Sequence, residues 1–384
     1  MEAYLDNSAT TKCFDEVKDI VVKTMTEDYG NPSAMHLKGV EAEKYVKEAA
    51  AAIAKTLKVQ EKEIFFTSGG TESDNWALVG TALANCRQGK HIITTSFEHA
   101  AVSAPLDWLK GQGYDLTVIP VDEKGNLSME ELEAAIRPDT ILVSTMYVNN
   151  EVGAVVPVEA VAKLVHEKNP KTVYHVDAIQ GYGKYRIYPK RAGIDLLSVS
   201  SHKIHGPKGV GFLYVSEKVK IQPLILGGGQ QKGMRSGTDN VPGIAGLGIA
   251  ARMVYEDHEE KIEKLRALKS YLAENLSAME RVVINGPAPE DGAPHIVNAS
   301  FLGVRSEVLL HTLEEKGIYV SAGSACSSHK RAASATMTAI SADKERRESA
   351  IRFSLSEFTT KKELDHTLEE IRTVLPVLRK YARH

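Results

Sequence analysis

Short apolar runs rich in valine, isoleucine and threonine alternate with amphipathic segments over much of the chain. The runs are IFFTSG, HIITTS, LTVIPV, TILVSTMY, TVYHVDA, LLSVSS and GFLYVS, all between about residues 64 and 216. The intervening segments have the apolar spacing of helices, over roughly 38–57, 71–86, 99–111, 128–137 and 157–168. This alternation predicts an α/β fold with a mostly parallel sheet of seven strands, covered by helices on both faces.

The pattern changes in the second half of the chain. A loop with six glycines covers 224–243, and it is too long to be a simple connection. The spacing then predicts one long charged helix over about 241–276, followed by short strands mixed with helices. We therefore expect a large α/β domain over 15–255 and a smaller α+β domain formed by 1–14 and 256–384.

Composition excludes several classes of protein. The formal net charge of −3 gives no basic field for nucleic acid. No run of eighteen apolar residues occurs, and the first residues lack the pattern of a secretory signal, so we expect a cytoplasmic protein without a membrane span. The three cysteines are far apart and form no C-x-x-C pair, which argues against a disulfide framework and a metal site.

The stretch SVSSHKIHGPKG places Lys203 where an apolar strand ends and a turn begins. Ligands of α/β folds bind at the carboxyl ends of the strands. A desolvated lysine at such a place can form a Schiff base with a carbonyl compound. A solvated loop lysine is the alternative.

A Gly-Gly turn precedes Thr71 in FFTSGGTESDNWAL. Backbone N–H groups at a helix start, approached closely because of the glycines, form an anion site suited to a phosphate. The alternative is that Thr71 only caps the helix, which would be compatible with the same sequence.

Two further polar residues follow apolar strands. Asp177 ends VYHVD, where a buried carboxylate needs a cation or several donors, and a protonated pyridine nitrogen would serve. The alternative is that it caps the next helix. His99 follows another strand, in SFEHAAV, and a capping or core histidine would fit equally well.

Cys326 lies in SAGSACSSHK, where no bulky apolar residue would bury it, so we expect an exposed and reactive thiol. Cys13 and Cys86 are interpreted as structural. Arg352 lies within the strand pattern AIRFSLS and needs a carboxylate partner, either from a substrate or from an internal Asp or Glu.

Together these residues match the parts of a pyridoxal phosphate enzyme. The chain also closely resembles the NifS/IscS-like cysteine desulfurases, in the class V branch of the fold-type I aminotransferase superfamily. The motifs that carry the resemblance cover nearly the whole chain, and they are YLDNSATT, NPSAMH, FTSGGTESDN, YVNNEVGAVVP, HVDAIQ, SSHKIHGPKGVG, MRSGTDNVPG, SAGSACSS and IRFSLSEFTT.

The resemblance implies a cofactor site for pyridoxal 5′-phosphate. Lys203 would be the Schiff-base lysine, and Thr238 of a partner subunit would complete the phosphate site, which makes the active unit a homodimer. The remaining phosphate residues would be Gly70, Thr71, Ser200, Ser201 and His202.

The resemblance also assigns residues to the cofactor ring and to the substrate. Asp177 would hold the pyridine nitrogen, and Gln180 would bond the 3′-oxygen. His99 would stack on the ring and shuttle protons. The substrate α-carboxylate would be held by Asn150 and Arg352.

Cys326 matches the nucleophile of the family. The implied reaction converts L-cysteine to L-alanine and leaves a persulfide on Cys326. The sulfur would pass to an acceptor protein, for iron–sulfur cluster assembly or tRNA thiolation.

Three other functions remain open. One is selenocysteine lyase or cysteine sulfinate desulfinase activity on the same fold. The second is an aminotransferase, for which Cys326 would be dispensable. The third is a non-catalytic cofactor-binding or sulfur-carrier protein. The chain also departs from the family pattern at 327–341 and at Ser356 and Glu357, which replace the commoner Gly-Arg pair.

Overall fold

The computed structural model describes residues 1–322 and 334–381. Thirteen strands occur in this part of the chain. In chain order they are β1 (Ala3–Tyr4), β2 (Ile64–Thr67), β3 (His91–Thr95), β4 (Asp115–Ile119), β5 (Thr140–Met146), β6 (Val173–Asp177), β7 (Leu196–Ser200), β8 (Gly211–Val215), β9 (Val282–Asn285), β10 (Ile296–Phe301), β11 (Ile318–Tyr319), β12 (Ser321–Ala322) and β13 (Ala350–Ser354).

The helices occupy the positions that the apolar spacing predicts for most of the first half. They are α1 (Asp15–Thr26), α2 (Leu37–Leu57), α3 (Gly70–Asn75), α4 (Thr81–Asn85), α5 (Ala100–Gly111), α6 (Met129–Ala135), α7 (Val158–Lys168), α8 (Pro189–Ala192), α9 (Val241–Met253), α10 (His258–Ser277), α11 (Ser306–Glu314), α12 (Ala335–Ile340), α13 (Lys344–Glu348) and α14 (Lys361–Tyr381). A π-helical segment, Trp76–Gly80, joins α3 to α4. Within the described residues, none of these helices has the length and apolar character needed to cross a membrane.

Seven strands form the large sheet in the order β2-β8-β7-β6-β5-β3-β4. Strand β8 is antiparallel to both of its neighbours, and the other four pairings in the sheet are parallel. The predicted mostly parallel sheet of seven strands is therefore confirmed. Because their directions agree, β2, β3, β5, β6 and β7 all end at the same edge, called here the carboxyl edge.

Helices cover both faces of this sheet, as predicted. Neighbouring strand residues point to opposite faces, and the buried apolar clusters follow that alternation: Val143 packs with helices α2, α7 and α9, whereas Leu142 packs with α5. Phe212 and Leu213 of β8 divide between the same two clusters. The sheet therefore separates two apolar layers, and polar side chains concentrate at its edges.

A second sheet, of order β12-β13-β10-β9, is antiparallel throughout. Its apolar cluster includes residues of α10, α11 and α14, together with Ala3 and Leu5 from the start of the chain. Strand β1 pairs with β11, and Asp6 bridges to Ser354, the last residue of β13. This grouping agrees with a small α+β domain that includes the first residues; the predicted boundaries at 14 and 255 stay a prediction.

The prediction of one long helix over about 241–276 is wrong. Helix α9 ends at Met253, and α10 begins at His258. Asp257 between them has φ +47°, a left-handed conformation that a right-handed helix cannot include. The two helices also belong to different hydrophobic cores. Helix α9 packs on α1 and α2, whereas α10 packs on β9, β10 and α14.

Candidate active site

Lys203 ends a short 3₁₀ turn, Ser201–Lys203, which directly follows β7 at the carboxyl edge. Its Nζ donates hydrogen bonds to the carbonyl oxygens of Ser8, at 2.6 Å, and Ala9, at 2.7 Å. The side chain is partly buried. The amine is therefore held at the sheet edge by the first residues of the chain, unlike the ammonium of a freely solvated loop lysine.

The same N-terminal segment fixes the turn that carries Lys203. Thr11 Oγ1 donates to the carbonyl of His202 at 2.9 Å and accepts from the N–H of His205 at 2.7 Å. His202 Nδ1 lies 3.2 Å from Thr10 Oγ1. Burial, with the charges of Lys203 and Lys208, lowers the pKa of His202 to about 4, so this imidazole is neutral at physiological pH.

Asp177 is the last residue of β6, next to β7 in the sheet. Its side chain is buried, and Oδ1 accepts a hydrogen bond from the N–H of Ile179 at 2.9 Å. Burial raises the pKa of Asp177, against that hydrogen bond and the positive charges of His99 and Lys203. A buried carboxylate with a single described backbone donor is suited to a further cationic N–H, such as a protonated pyridine nitrogen.

Three buried titratable residues beneath Asp177 were not singled out from the sequence. Burial raises the pKa of Glu98 to about 8 and that of Asp74 well above its usual value. His175 bridges Ser144, at 2.8 Å, and Ser198, at 2.9 Å, and burial lowers its pKa to about 3. Burial therefore favours the uncharged form of all three groups. The letters HVD place one of them, His175, on the same strand as Asp177, but the burial of all three depends on the tertiary fold.

The predicted phosphate residues lie where β2 and β7 end. Gly69 has φ +148°, a conformation that favours glycine, and a Cβ atom on Gly70 would lie 2.3 Å from Ile179 Cδ1, so the end of that side chain would have to move. Ser201 Oγ is buried and has no hydrogen-bond partner among the described residues. Ser200 Oγ lies beside the glycine turn, 3.9 Å from the Cβ position of Gly69. A hydroxyl beside a glycine turn at a helix start is a cradle that fits a phosphate group.

Part of the glycine-rich loop contacts this cradle. Arg235 binds Glu72 with two hydrogen bonds, of 2.9 and 3.2 Å, and Glu72 in turn accepts from the N–H of Ser68 at 2.8 Å. Thr238 follows on the same loop with an exposed side chain. The loop is thus tied next to Gly70 and Thr71, while Thr238 faces outward.

His99 and Gln180 border the site from two sides. His99 is exposed and caps α5 through Nδ1, which accepts from the N–H of Ala101 at 3.1 Å. The capping alternative is therefore correct, and it leaves the ring at the surface, where His99 and Thr71 line a cavity of about 460 Å³. Gln180 Nε2 donates to the carbonyl of Ser8 at 2.9 Å, the same oxygen that Lys203 contacts.

Arg352 joins the small sheet to the carboxyl edge. Its Nη1 donates to the carbonyl of Asn150 at 2.9 Å, and its Nη2 forms an ion pair with Asp6 Oδ1 at 2.7 Å. The internal ion pair expected as one alternative is therefore present, and sequence reasoning missed Asp6 as the partner. Arg352 Nε is buried without a hydrogen-bond partner among the described residues, and these two bonds use only two of the five guanidinium N–H groups, so donors remain for a carboxylate ligand.

Cys326 and Glu357 were also singled out from the sequence. Cys326 lies outside the described residues. Glu357, which departs from the family pattern, forms an ion pair with Lys261 at 3.0 Å and lies 3.9 Å from His205 Nε2. This carboxylate connects α10 to the turn that follows Lys203.

Comparison with known proteins agrees with this geometry. Residues 3–367 match the family described as aminotransferase class-V. The chain belongs to that family. The cysteine desulfurase IscS of Methanosarcina thermophila is 42% identical over 376 residues, which cover 98% of this chain and 92% of the relative. That of Clostridium botulinum is 42% identical over 384 residues, covering 100% and 95%.

Solved structures give the same result. A structure titled NifS-like protein matches with a TM-score of 0.93 and 39% identity, covering 98% of this chain and 100% of that one. A structure titled SspA in complex with cysteine matches with a TM-score of 0.82 and 32% identity, covering 93% and 100%. The resemblance to NifS/IscS-like proteins is confirmed, and with it the fold and the pyridoxal phosphate dependence of the family.

Proposed function

We propose that the protein is a pyridoxal phosphate-dependent L-cysteine desulfurase that carries the removed sulfur as a persulfide on Cys326. The observation that supports the proposal is the carboxyl edge, where Asp177 and Lys203 lie at the ends of neighbouring strands. The N-terminal segment that contacts Lys203 also holds Arg352 through Asp6. An amine, an acceptor for a ring nitrogen and a carboxylate site are the three groups that this chemistry needs.

The residues of the edge fit the cofactor. Lys203 would bind its aldehyde carbon, Asp177 its pyridine nitrogen, and Gln180 its 3′-oxygen. Gly70, Thr71, Ser200, Ser201 and His202 would surround the phosphate. When bound, pyridoxal phosphate supplies an electron sink for the electrons released at the substrate α-carbon.

The chain's own groups would then perform the binding and the proton transfers. Arg352 and Asn150 hold the substrate carboxylate, which fixes the α-carbon relative to Lys203. Lys203 takes the α-proton, and His99 serves as a second proton carrier at the exposed side.

Sulfur transfer requires the Cys326 thiolate. This thiolate attacks the substrate sulfur, so that a sulfur–sulfur bond forms while the carbon–sulfur bond breaks with its electron pair on carbon. The carbon takes up protons and leaves as L-alanine, and Cys326 retains the persulfide. In the net reaction the carbon–sulfur bond of the substrate becomes a carbon–hydrogen bond and the thiol of Cys326 becomes a persulfide, so no external oxidant or reductant is needed.

A homodimer is the proposed active unit. Exposed apolar side chains concentrate in two places, one around α1 and the start of α2 and one at 224–226. In these two places the exposed apolar residues are Val22, Met25, Tyr29, Met35, Leu37, Val40, Leu224, Ile225 and Leu226. A second copy covering these surfaces would also bring Thr238 to its partner's phosphate residues.

The sulfur acceptor is proposed to be a protein of iron–sulfur cluster assembly or tRNA thiolation, in the cytoplasm. The support is the naming of the relatives as IscS and NifS-like proteins.

The test uses cofactor-loaded protein with L-cysteine and a reductant, and measures L-alanine and sulfide. We expect equal amounts from the wild type and neither product from Cys326→Ala. Cys86→Ala is the matched control because Cys86 is exposed and lies on α4's end, outside the site. Full activity of Cys326→Ala would contradict the proposal and favour the lyase or aminotransferase alternatives.

A further inference from the structure

The side-chain amide of Gln180 is held by two hydrogen bonds at the carboxyl edge. Its Nε2 donates to the carbonyl of Ser8 at 2.9 Å, and its Oε1 lies 3.2 Å from His295 Nε2. Lys203 Nζ donates to the same carbonyl of Ser8 at 2.6 Å. The amide of Gln180 therefore lies beside the amine that is proposed to bind the cofactor aldehyde.

These two bonds require one orientation of the amide. A carbonyl oxygen can only accept a hydrogen bond, so Ser8 must face the amide nitrogen of Gln180 and not the amide oxygen. Oε1 then faces His295 and accepts from it, so the imidazole carries its proton on Nε2. Ser8 uses one of the two N–H groups of the amide. The second N–H can donate to a further acceptor, such as the 3′-oxygen of pyridoxal phosphate.

The imidazole of His295 is buried and uncharged. Burial, with the positive charges of Lys184, Lys269 and Arg352, lowers the pKa of His295 well below its usual value. The ring therefore has one N–H, and Nδ1 is buried without a hydrogen-bond partner among the described residues. An unsatisfied buried acceptor costs stability, so a histidine at this position needs a compensating role. The described hydrogen bond of its side chain is the one to Gln180.

The main chain of His295 is fixed by the small domain. Its carbonyl accepts from the N–H of Leu355 at 2.8 Å, and the next residue, Ile296, begins β10. Two residues earlier, the N–H of Ala293 donates to the carbonyl of Gly153 at 2.8 Å. These bonds do not involve the imidazole, so we expect the backbone to keep its place when the ring is replaced.

We propose that His295 is a positioning residue for the cofactor site, and that it acts through Gln180. The inference rests on the proposed contact between Gln180 and the 3′-oxygen of the cofactor. By donating to Oε1, His295 orients the amide so that its N–H groups face Ser8 and the cofactor. It touches neither the cofactor nor the substrate in this account.

The test records the visible absorbance of the cofactor-loaded protein over a range of pH, without L-cysteine. The lysine nitrogen and the 3′-oxygen share a proton, and its loss at high pH changes this absorbance. An N–H that donates to the 3′-oxygen stabilises the charge left on that oxygen, so removing the N–H should raise the midpoint. We expect His295→Leu and Gln180→Ala each to raise it by about half a pH unit, the size of one neutral hydrogen bond.

Other titratable groups also act on this site. Asp177 interacts with the charges of His99 and Lys203, and His202 interacts with the charge of Lys203. All four residues are unchanged in every variant of the test. A difference between variants therefore reports the loss of the hydrogen bond.

A double variant and a conservative variant separate positioning from a general structural defect. His295→Leu combined with Gln180→Ala should shift the midpoint no further than Gln180→Ala alone, because both substitutions remove the same donor. His295→Gln keeps an N–H donor and should bring the midpoint to within about 0.2 pH unit of wild type. His91→Leu is the matched control, since His91 is also buried and bonded to Thr140 and Thr117, but lies at the start of β3, away from the carboxyl edge.

A second measurement does not depend on the absorbance change with pH. The dissociation constant for pyridoxal phosphate should rise about fivefold in His295→Leu and in Gln180→Ala, again the size of one neutral hydrogen bond. It should stay within about twofold of wild type in His91→Leu.

Three results would overturn the inference. These are a wild-type midpoint and cofactor affinity in either single variant, additive shifts in the double variant, and an equal shift in His91→Leu. The measurements require no turnover, so they are separate from the desulfurase activity. A wild-type protein that binds pyridoxal phosphate but forms no L-alanine would refute the proposed function and leave these results unchanged.

Discussion

The two edges of the large sheet both contain buried carboxylates, but the partners of these carboxylates differ between the edges. The amino edge is the opposite edge, where the parallel strands begin. There, Glu63 precedes β2 and pairs with Lys190 at 2.7 Å, and it also accepts a hydrogen bond from the N–H of Gln60 at 2.8 Å. Asp195 precedes β7, accepts from the N–H of Tyr174 at 2.9 Å, and lies 3.5 Å from His166. These carboxylates have partners within the chain, which is typical of a structural role.

At the carboxyl edge, Asp177 accepts one described backbone hydrogen bond, and burial favours the uncharged forms of Glu98 and His175 beneath it. A cavity of about 570 Å³ lies at the amino edge as well, so the presence of a cavity does not distinguish the edges. The difference lies in the charged partner, because Glu63 forms an ion pair with Lys190, whereas the described hydrogen bond of Asp177 comes from a backbone N–H. A buried carboxylate whose described donor is a backbone N–H marks the edge that can receive a cofactor.

The largest expected effect tests the lysine of the carboxyl edge. Lys203→Ala should lower L-alanine formation by about a thousandfold or more, because the variant lacks the group that takes the α-proton. The visible absorbance of the loaded protein should change as well, since the cofactor would be bound without its bond to the lysine. An unchanged spectrum together with normal turnover would show that another group binds the aldehyde.

An acid-to-amide substitution at each edge tests the comparison directly. Asp177→Asn should lower L-alanine formation by about a hundredfold, because an amide cannot hold a protonated ring nitrogen as an ion pair. Glu63→Gln should leave the rate within about twofold of wild type. Equal losses in the two variants would remove the functional distinction between the edges.

The same pair of variants differs in stability. Glu63→Gln should lower the free energy of unfolding by about 1 kcal/mol, because the ion pair between the buried Glu63 and the partly exposed Lys190 is lost. Without cofactor, Asp177→Asn should unfold at the same or higher denaturant concentration than wild type, since burial disfavours the Asp177 charge. Chemical denaturation of both apo variants checks this, and the opposite ranking would contradict the comparison.

The smallest expected effect concerns pH. Burial raises the pKa of Glu98 to about 8, above its value in the unfolded chain. The folded state therefore binds more protons between about pH 4.5 and 8, and this group makes stability fall as pH rises through that range. Glu98→Gln should reduce that fall. Unfolding curves at pH 5 and pH 8 measure it, and an identical pH dependence in both proteins would show that Glu98 titrates normally.

Much of the fold could be predicted because its signals are local. Alternating strands and helices gave the seven-stranded sheet, and the polar residues after each strand gave the carboxyl edge. The break at Asp257 was not predicted because no proline or glycine marks it, although the apolar α9 gives way to the charged α10 there. The two helices pack on different cores, and this requires the break.

The parts of the site that were missed depend on contacts between distant segments. The carbonyls of Ser8 and Ala9 hold Lys203, and Asp6 pairs with Arg352 across more than three hundred residues of sequence. A main-chain carbonyl can belong to any residue type, so the sequence does not show which carbonyls accept a hydrogen bond. The sequence also does not show which of the many aspartates pairs with a given arginine. The resemblance assigned residues to the proposed site, whereas the tertiary structure supplied the partners of those residues.

The most direct test of the central claim is mass spectrometry of the cofactor-loaded protein after one turnover with L-cysteine. The account predicts one added sulfur atom on the peptide that contains Cys326, with one L-alanine released for each. Release of L-alanine without any added sulfur on that peptide, or sulfur found on Cys13 or Cys86 instead, would contradict it.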